Sequence, residues 1–186
     1  MSEFKKISSQ ILHDNPWWQY KCDKIIRPDG SEGEYCFIET PGNVIIVPVL
    51  DDGRLVLVRQ YRYLDEKYSI EFPGGGVGKE ESPAQAAKRE LLEESGYNTE
   101  NLIKIGAFQP DCGVVKDMSH VFVANELNLV QKPISNAFES TEVLLRRVDE
   151  FEDMVKRGEI WNGQVLAAWM IARNLLLNNF PQGDLR

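Results

Sequence analysis

The chain has no surplus of positive charge and no long apolar run. Its 186 residues carry 21 Lys and Arg against 29 Asp and Glu, a formal net charge of -8, and the pI is near 4.9. A surface of that sign predicts no nucleic-acid partner and no anionic membrane partner, because few cations are free to neutralise phosphates. An anionic substrate would need local help. No window approaches the roughly 20 apolar residues of a membrane span, and the opening MSEFKKISSQ lacks the apolar stretch of a secretory signal. A soluble, cytoplasmic protein is therefore expected. Cysteine and histidine are also scarce. Cys22, Cys36 and Cys112 show no Cys-x-x-Cys spacing and no partner set of histidines, so neither a disulfide nor a zinc site is expected and the three are read as packing residues.

What the chain does have is enough length and apolar content, 42%, for one well-buried domain. WWQYKCDKIIRPDGSEGEYCFIET reads as short strands around a PDGSEG turn, an N-terminal β arm that follows a polar start. NVIIVPVLDDGRLVLVRQYRY holds two β-branched runs joined by DDG, a hairpin signal. SPAQAAKRELLEES carries helix start signals, with Ser82 as N-cap, Pro83 at the first helical position and Gln85 in the capping box; Gly96 supplies the stop. LIKIGAFQP, MSHVFVANELNLV and TEVLLRRV are expected strands. DEFEDMVKRG and GQVLAAWMIARNLLLNN are expected helices. This order predicts an α/β fold with helices packed on a mixed sheet.

EFPGGGVGKEES, residues 71–82, raises the question of phosphate binding. A P-loop needs a glycine five positions before its Gly-Lys pair and a hydroxyl residue directly after it. Pro73 and Glu80 stand there instead. The helix that follows carries Glu90, Glu93 and Glu94, which fall within one arc about 100° wide. Like charges at these spacings cost a few tenths of a kcal/mol each when solvated. The plain reading is an acidic solvent-facing surface; the alternative is a set of hard oxygen ligands suited to Mg²⁺ or Mn²⁺.

The spacing bears on that choice. Gly75, Glu81, Arg89, Glu90, Leu91, Glu93, Glu94 and Gly96 resemble, in register, the Nudix box G-x5-E-x7-R-E-U-x-E-E-x-G-U, with Tyr97 a mild departure from the usual aliphatic at its last position. VRQYRY and EFPGGG before the box and Pro110 after it resemble the ADP-ribose and nucleoside-diphosphate-sugar pyrophosphatase branch. The likeness runs over roughly residues 15–175 and is most specific in the box.

The resemblance implies a Nudix fold, a mixed β-sheet sandwiched between α-helices, with residues 1–42 as an arm that mediates a homodimer and residues 43–186 as the hydrolase domain. It implies a divalent cation, Mg²⁺ or Mn²⁺, held by Glu90 and Glu94 with help from Glu93 and the Gly74 carbonyl. Gly75, Glu81, Arg89 and Gly96 would then be structural members of the box. A carboxylate from a later loop would orient the attacking water, Glu139 first and Glu142 second. Neither His13 nor His120 is well placed for that task. For the substrate, Arg59 and Arg62 offer bidentate reach to a diphosphate, and Trp17 or Trp18 offers a face for a nucleobase. Lys116 and Asp117 lie in a loop that could touch a terminal sugar. The expected reaction is hydrolysis of a nucleoside-diphosphate sugar, ADP-ribose before GDP-mannose or a broader range, to a nucleoside monophosphate and a sugar phosphate. A non-hydrolytic nucleotide sensor is the alternative from another class. Trimming of RNA ends fits the box but not the acidic balance.

Overall fold

A computed structural model describes residues 3–134 and 141–179. In chain order its elements are β1 (Lys5–Asp14), β2 (Gln19–Ile26), β3 (Glu32–Glu39), β4 (Asn43–Pro48), β5 (Leu55–Arg62), a 3₁₀ turn (Tyr63–Asp65), β6 (Lys67–Glu71), β7 (Gly74–Gly76), α1 (Pro83–Ser95), β8 (Tyr97–Asn98), β9 (Asn101–Phe108), β10 (Val115–Lys116), β11 (Ser119–Asn125), β12 (Asn128–Leu129), β13 (Glu142–Arg146), α2 (Val148–Lys156) and α3 (Gly163–Asn179).

The central sheet has the order β7-β4-β11-β9, with β4 and β11 parallel and the outer pairs antiparallel. Alternation along its strands builds two cores. Val44, Ile46, Phe122 and Ala124 face α1 through Ala86, Ala87 and Leu91. Ile45, Val47, Val121 and Val123 face α2 and α3 through Phe151, Met154, Ala168 and Trp169. A strand buried on both faces reads as a continuous apolar run, as VIIVP does. Each large side chain so buried contributes about 1.5–3 kcal/mol. Phe72, Phe151 and Trp169 close the second core, with ring centroids 5.3 Å and 5.0 Å from Phe151. The helix–sheet–helix sandwich is thus present, and α1 begins on the expected capping box of Ser82 and Gln85 and ends at Gly96 in the left-handed region.

Two expectations need correction, and one segment gains an element. The DDG turn forms, with Leu50 N donating to Arg54 O at 2.9 Å, but β4 and β5 share a single bridge between Val49 and Leu55 and then part into different sheets. Both runs are apolar on both faces, so each takes the middle of its own sheet, β5 between β13 and β6. The polar start, to which no element was assigned, is a ten-residue strand, Lys5–Asp14, paired with β2 and exposed along its whole length. Cys22 and Cys36 stand opposite each other in the β2–β3 register and are joined by a disulfide. Strand register, not sequence spacing, brings them together.

Candidate active site

A cleft of 810 Å³ opens at one end of the central sheet. Its floor is β7 and the first residues of β4. One wall is α1, another is the end of β5 with Glu71 of β6, and the remainder comes from Asp117, the start of α3 and Trp17 and Trp18 of the arm.

Gly74 is required by contact. Gly74–Gly76 pair antiparallel with Asn43–Ile45, so closely that a Cβ on Gly74 would lie 2.2 Å from the Val44 carbonyl oxygen. A Cβ on Gly75 would lie 2.3 Å from Glu90 Oε1, so a side chain there would displace the Glu90 carboxylate from the floor. Glu94 reaches the same strand, where its Oε2 accepts the Gly74 N–H at 2.8 Å. That carboxyl is enclosed by protein. Burial pushes its pKa up to about 8, with Gly74 opposing and the charge of Glu90 reinforcing the rise.

Arg89 organises the other side of the helix. Its Nε and Nη2 fork onto Glu81 at 3.0 and 2.9 Å, Nη2 also donates to Gly76 O at 3.0 Å, and Nη1 donates to Glu90 at 2.7 Å and Glu93 at 3.2 Å. The fork onto Glu81 is the first reason that the guanidinium is held well above its ordinary pKa, and the hydrogen bond from Arg89 likewise holds Glu81 below its own. One cation therefore ties three carboxylates and the glycine strand together.

The donor chemistry fits a divalent cation. Glu90 and Glu94 are hard oxygen ligands facing a glycine floor, and Glu94 is disfavoured as an anion unless a positive charge is near. Among the described residues no group of three acidic, histidine or cysteine side chains is arranged to hold an ion alone.

Arg62 and Arg59 part company. Arg62 lines the cleft and forks onto Glu71, with Nε to Oε1 at 2.7 Å and Nη2 to Oε2. Burial would raise the Glu71 pKa, but Arg62, Ser69 and Asn162 overrule it and hold the carboxyl below its ordinary value. Arg59 projects from the other face of β5, packs over the Tyr68 ring at 3.9 Å and donates to Glu142 at 3.1 Å. Neither Arg59 nor Glu142 lines the cleft. Glu139 lies outside the described residues. Trp17 is 74% exposed and Trp18 packs against His13 with centroids 5.2 Å apart. His120 lies on β11, and burial is the first of the causes that lower its pKa.

Sequence reasoning passed over Gln60, Glu71, Asn43, Asn162 and Gln164, all of which line the cleft. For Glu71 there was a signal: it is a lone carboxylate in an apolar strand end, and such a group is buried only with a partner.

The NUDIX domain profile matches residues 39–169. An ADP-ribose pyrophosphatase of Bacillus subtilis (strain 168) is 32% identical over 167 residues, 89% of this chain and 90% of that protein. An ADP-ribose pyrophosphatase of Mycobacterium tuberculosis is 28% identical over 182 residues, 97% of this chain and 87% of that one. Among solved structures, one described as an ADP compounds hydrolase superposes with a TM-score of 0.83 at 20% identity, covering 96% of this chain and 97% of its own. On these matches, and with Gly75, Arg89, Glu90, Glu93 and Glu94 of the box around one cleft, the chain belongs to the Nudix hydrolase family, in the branch of the ADP-ribose pyrophosphatases.

Proposed function

We propose that this Nudix pyrophosphatase hydrolyses nucleoside-diphosphate sugars, with ADP-ribose as the first substrate, in the presence of Mg²⁺ or Mn²⁺. The observation that carries the reading is the convergence of Glu90 and Glu94 on the Gly74–Gly76 floor of a cleft that also contains Arg62 and the two arm tryptophans. The names of the relatives support the ADP-sugar class.

In this reading Glu90 and Glu94 hold the cation, with Glu93 and the Gly74 carbonyl as further oxygen donors. The bound cation supplies a nucleophile at neutral pH and neutralises charge on the departing phosphate. Arg89 orients Glu90 and Glu93 through the bonds described above, and Arg62, fixed by Glu71, offers a guanidinium to the diphosphate. A bond forms between water oxygen and one phosphorus, the bridging P–O bond breaks, and AMP and ribose 5-phosphate leave. Glu139 or Glu142 would take the water's proton. Glu142, which is bonded to Arg59 and does not line the cleft, would have to leave that partner and turn toward the cleft to do so. Trp17 or Trp18 stacks on the base.

We also assign residues 1–42 to an arm that dimerises the chain. Phe4, Ile7, Ile11 and Leu12 are each at least 49% exposed along or beside β1, and an unpaired strand edge ten residues long that carries them calls for a cover. No helix among the described residues is long and apolar enough to cross a membrane, which is compatible with residence in the cytoplasm.

The test is phosphate-coupled turnover with Mg²⁺ across ADP-ribose, GDP-mannose, UDP-glucose and ADP-glucose, with Glu94→Gln as the blank. A preference for one nucleotide sugar, lost in the variant, is the expected result. Binding without product on the whole panel would replace this reading with that of a nucleotide sensor.

A further inference from the structure

Two of the carboxylates around the cleft sit at the very end of a helix. Glu93 and Glu94 belong to the last turn of α1, which stops at Ser95, and the ends of helices fray. Groups placed there keep a fixed geometry only if the turn is held from outside.

The hold is visible in the hydrogen bonds. The Gly96 N–H closes the helix onto Leu92 O at 2.9 Å, so the carbonyls of Glu93, Glu94, Ser95 and Gly96 lie beyond the intrahelical ladder. The Ile134 N–H donates to Glu93 O at 2.7 Å, and the Val130 and Gln131 N–H groups donate to Gly96 O at 3.0 and 3.3 Å. A Cβ on Gly96 would lie 2.1 Å from the Gln131 carbonyl oxygen, a measure of how closely that segment packs on the helix end. These donors are main-chain amides, which almost any residue supplies. Glu94 O is different, because it accepts the hydroxyl of Thr141 at 2.9 Å. That anchor depends on residue type.

Thr141 is itself fixed. It directly precedes β13, whose first residue, Glu142, stands opposite Arg59 of β5 and pairs with it at 3.1 Å. From β5 also comes Arg62, in the wall of the cleft. Glu94 is therefore tied to two sheets at once. Its carboxyl accepts the Gly74 N–H of β7, in the central sheet, and its carbonyl accepts Thr141, at the start of a strand of the β13-β5-β6 sheet. The separation between the acidic helix face and Arg62 depends on both ties.

We propose that Thr141 is a positioning residue for the reaction: through the Glu94 carbonyl its hydroxyl locks the last turn of α1, and with it the Glu93 and Glu94 carboxylates, against the sheet that carries Arg62. This inference rests on the pyrophosphatase reading above and adds a residue that acts without touching cation or substrate.

The experiment compares the wild-type protein with Thr141→Val, which keeps the shape but not the hydroxyl, and Thr141→Ser, which keeps the hydroxyl. Three quantities are measured for each: amide hydrogen exchange in EDTA, Mn²⁺ affinity by electron paramagnetic resonance without substrate, and steady-state constants on ADP-ribose at saturating Mg²⁺. In Thr141→Val the amides of Glu93 to Gly96 are expected to exchange about fivefold faster, the worth of one neutral hydrogen bond, while those of β4 keep their rates. The Mn²⁺ dissociation constant should rise about tenfold, as for loss of a group that orients a ligand. The kcat should fall about tenfold, with KM moving less than about threefold. Thr141→Ser should bring all of these back toward the wild-type values. Faster exchange in β4 and α1 alike would reduce Thr141 to an ordinary stabilising contact and overturn the proposal. So would a Thr141→Ser protein as impaired as Thr141→Val, or wild-type Mn²⁺ affinity and kcat in Thr141→Val. If the wild-type protein turns over no nucleotide sugar, the pyrophosphatase reading falls, and exchange with Mn²⁺ affinity then decides by the same outcomes whether Thr141 positions the two carboxylates.

Discussion

Arg89 and Glu81 are eight positions apart in sequence, and in the structure the guanidinium forks onto the carboxylate through two bonds of 3.0 and 2.9 Å. The pair fixes the loop that enters α1 against the second turn of the helix. From the same guanidinium, bonds to Glu90, Glu93 and Gly76 O set the carboxylates over the glycine floor. Arg89→Lys keeps the charge but not the planar fork. We expect kcat on ADP-ribose to fall about ten- to hundredfold, since misplacing a reacting group by about 1 Å costs that much. The melting temperature should move by only a few degrees, the cost of a half-exposed ion pair being about 1 kcal/mol or less. Calorimetry beside the kinetics separates positioning from unfolding.

Glu94 gives a pH signature in the metal-free protein. Its folded pKa of about 8 lies above the ordinary 4.5, so the fold favours the neutral carboxyl. The stability tied to this group is fully present below pH 4.5 and is lost as pH rises toward 8. The total is on the order of a few kcal/mol. In EDTA, therefore, the melting temperature of the wild-type protein should drop relative to Glu94→Gln between pH 5 and pH 8. Added Mg²⁺ or Mn²⁺ should reverse the drop in the wild-type protein alone, with uptake of metal releasing a proton. Parallel curves for the two proteins in EDTA would contradict the assignment.

Glu71 is the most deeply placed charge of the cleft, its side chain 7% exposed against 42% for Arg62. Removing Arg62 takes away the guanidinium fork that holds that carboxylate. Arg62→Ala should cost about 3 kcal/mol, as expected for a buried charge deprived of its counter-ion. Arg62→Ala with Glu71→Gln should recover part of that loss. A urea-unfolding double-mutant cycle reads the coupling. Because the folded Glu71 pKa is lowered, the stability it contributes is present above pH 4.5 and is lost as pH falls through the folded value, opposite in sense to Glu94.

The arm offers a chemical test. Cys22 and Cys36 are joined across β2 and β3, leaving Cys112 exposed and free. Thiol titration of the denatured, unreduced protein should count one thiol, and three after reduction. Cys22→Ser should lower stability by about 2–3 kcal/mol, the loss expected from opening a loop of this size. Three thiols without reductant would show that the two cysteines meet in the sheet without bonding.

Much of the site's chemistry could be read along the chain. Glu90, Glu93 and Glu94 could be placed together because an α-helix repeats every 3.6 residues and puts i, i+3 and i+4 on one face, and the resemblance to the Nudix box added Gly75, Glu81 and Arg89. Ser82, Gln85 and Gly96 marked the ends of that helix because capping is a local hydrogen-bonding problem. The same logic would have separated Arg59 from Arg62, since residues three apart on a strand face opposite sides, and that signal was available unused.

What the sequence by itself determined is therefore whatever depends on neighbours in the chain: the start and end of α1, the acidic face, the apolar runs of β4 and β5, the acidic surface. What only the tertiary structure decided depends on pairing between distant segments. The split of β4 and β5 into two sheets, the β1 strand with no buried face, and the meetings of Cys22 with Cys36, Arg62 with Glu71 and Asn43 with Asp117 are of this kind. They follow from strand register and sheet order, which are settled by the competition of whole faces for burial and leave no periodic trace in the residues they bring together.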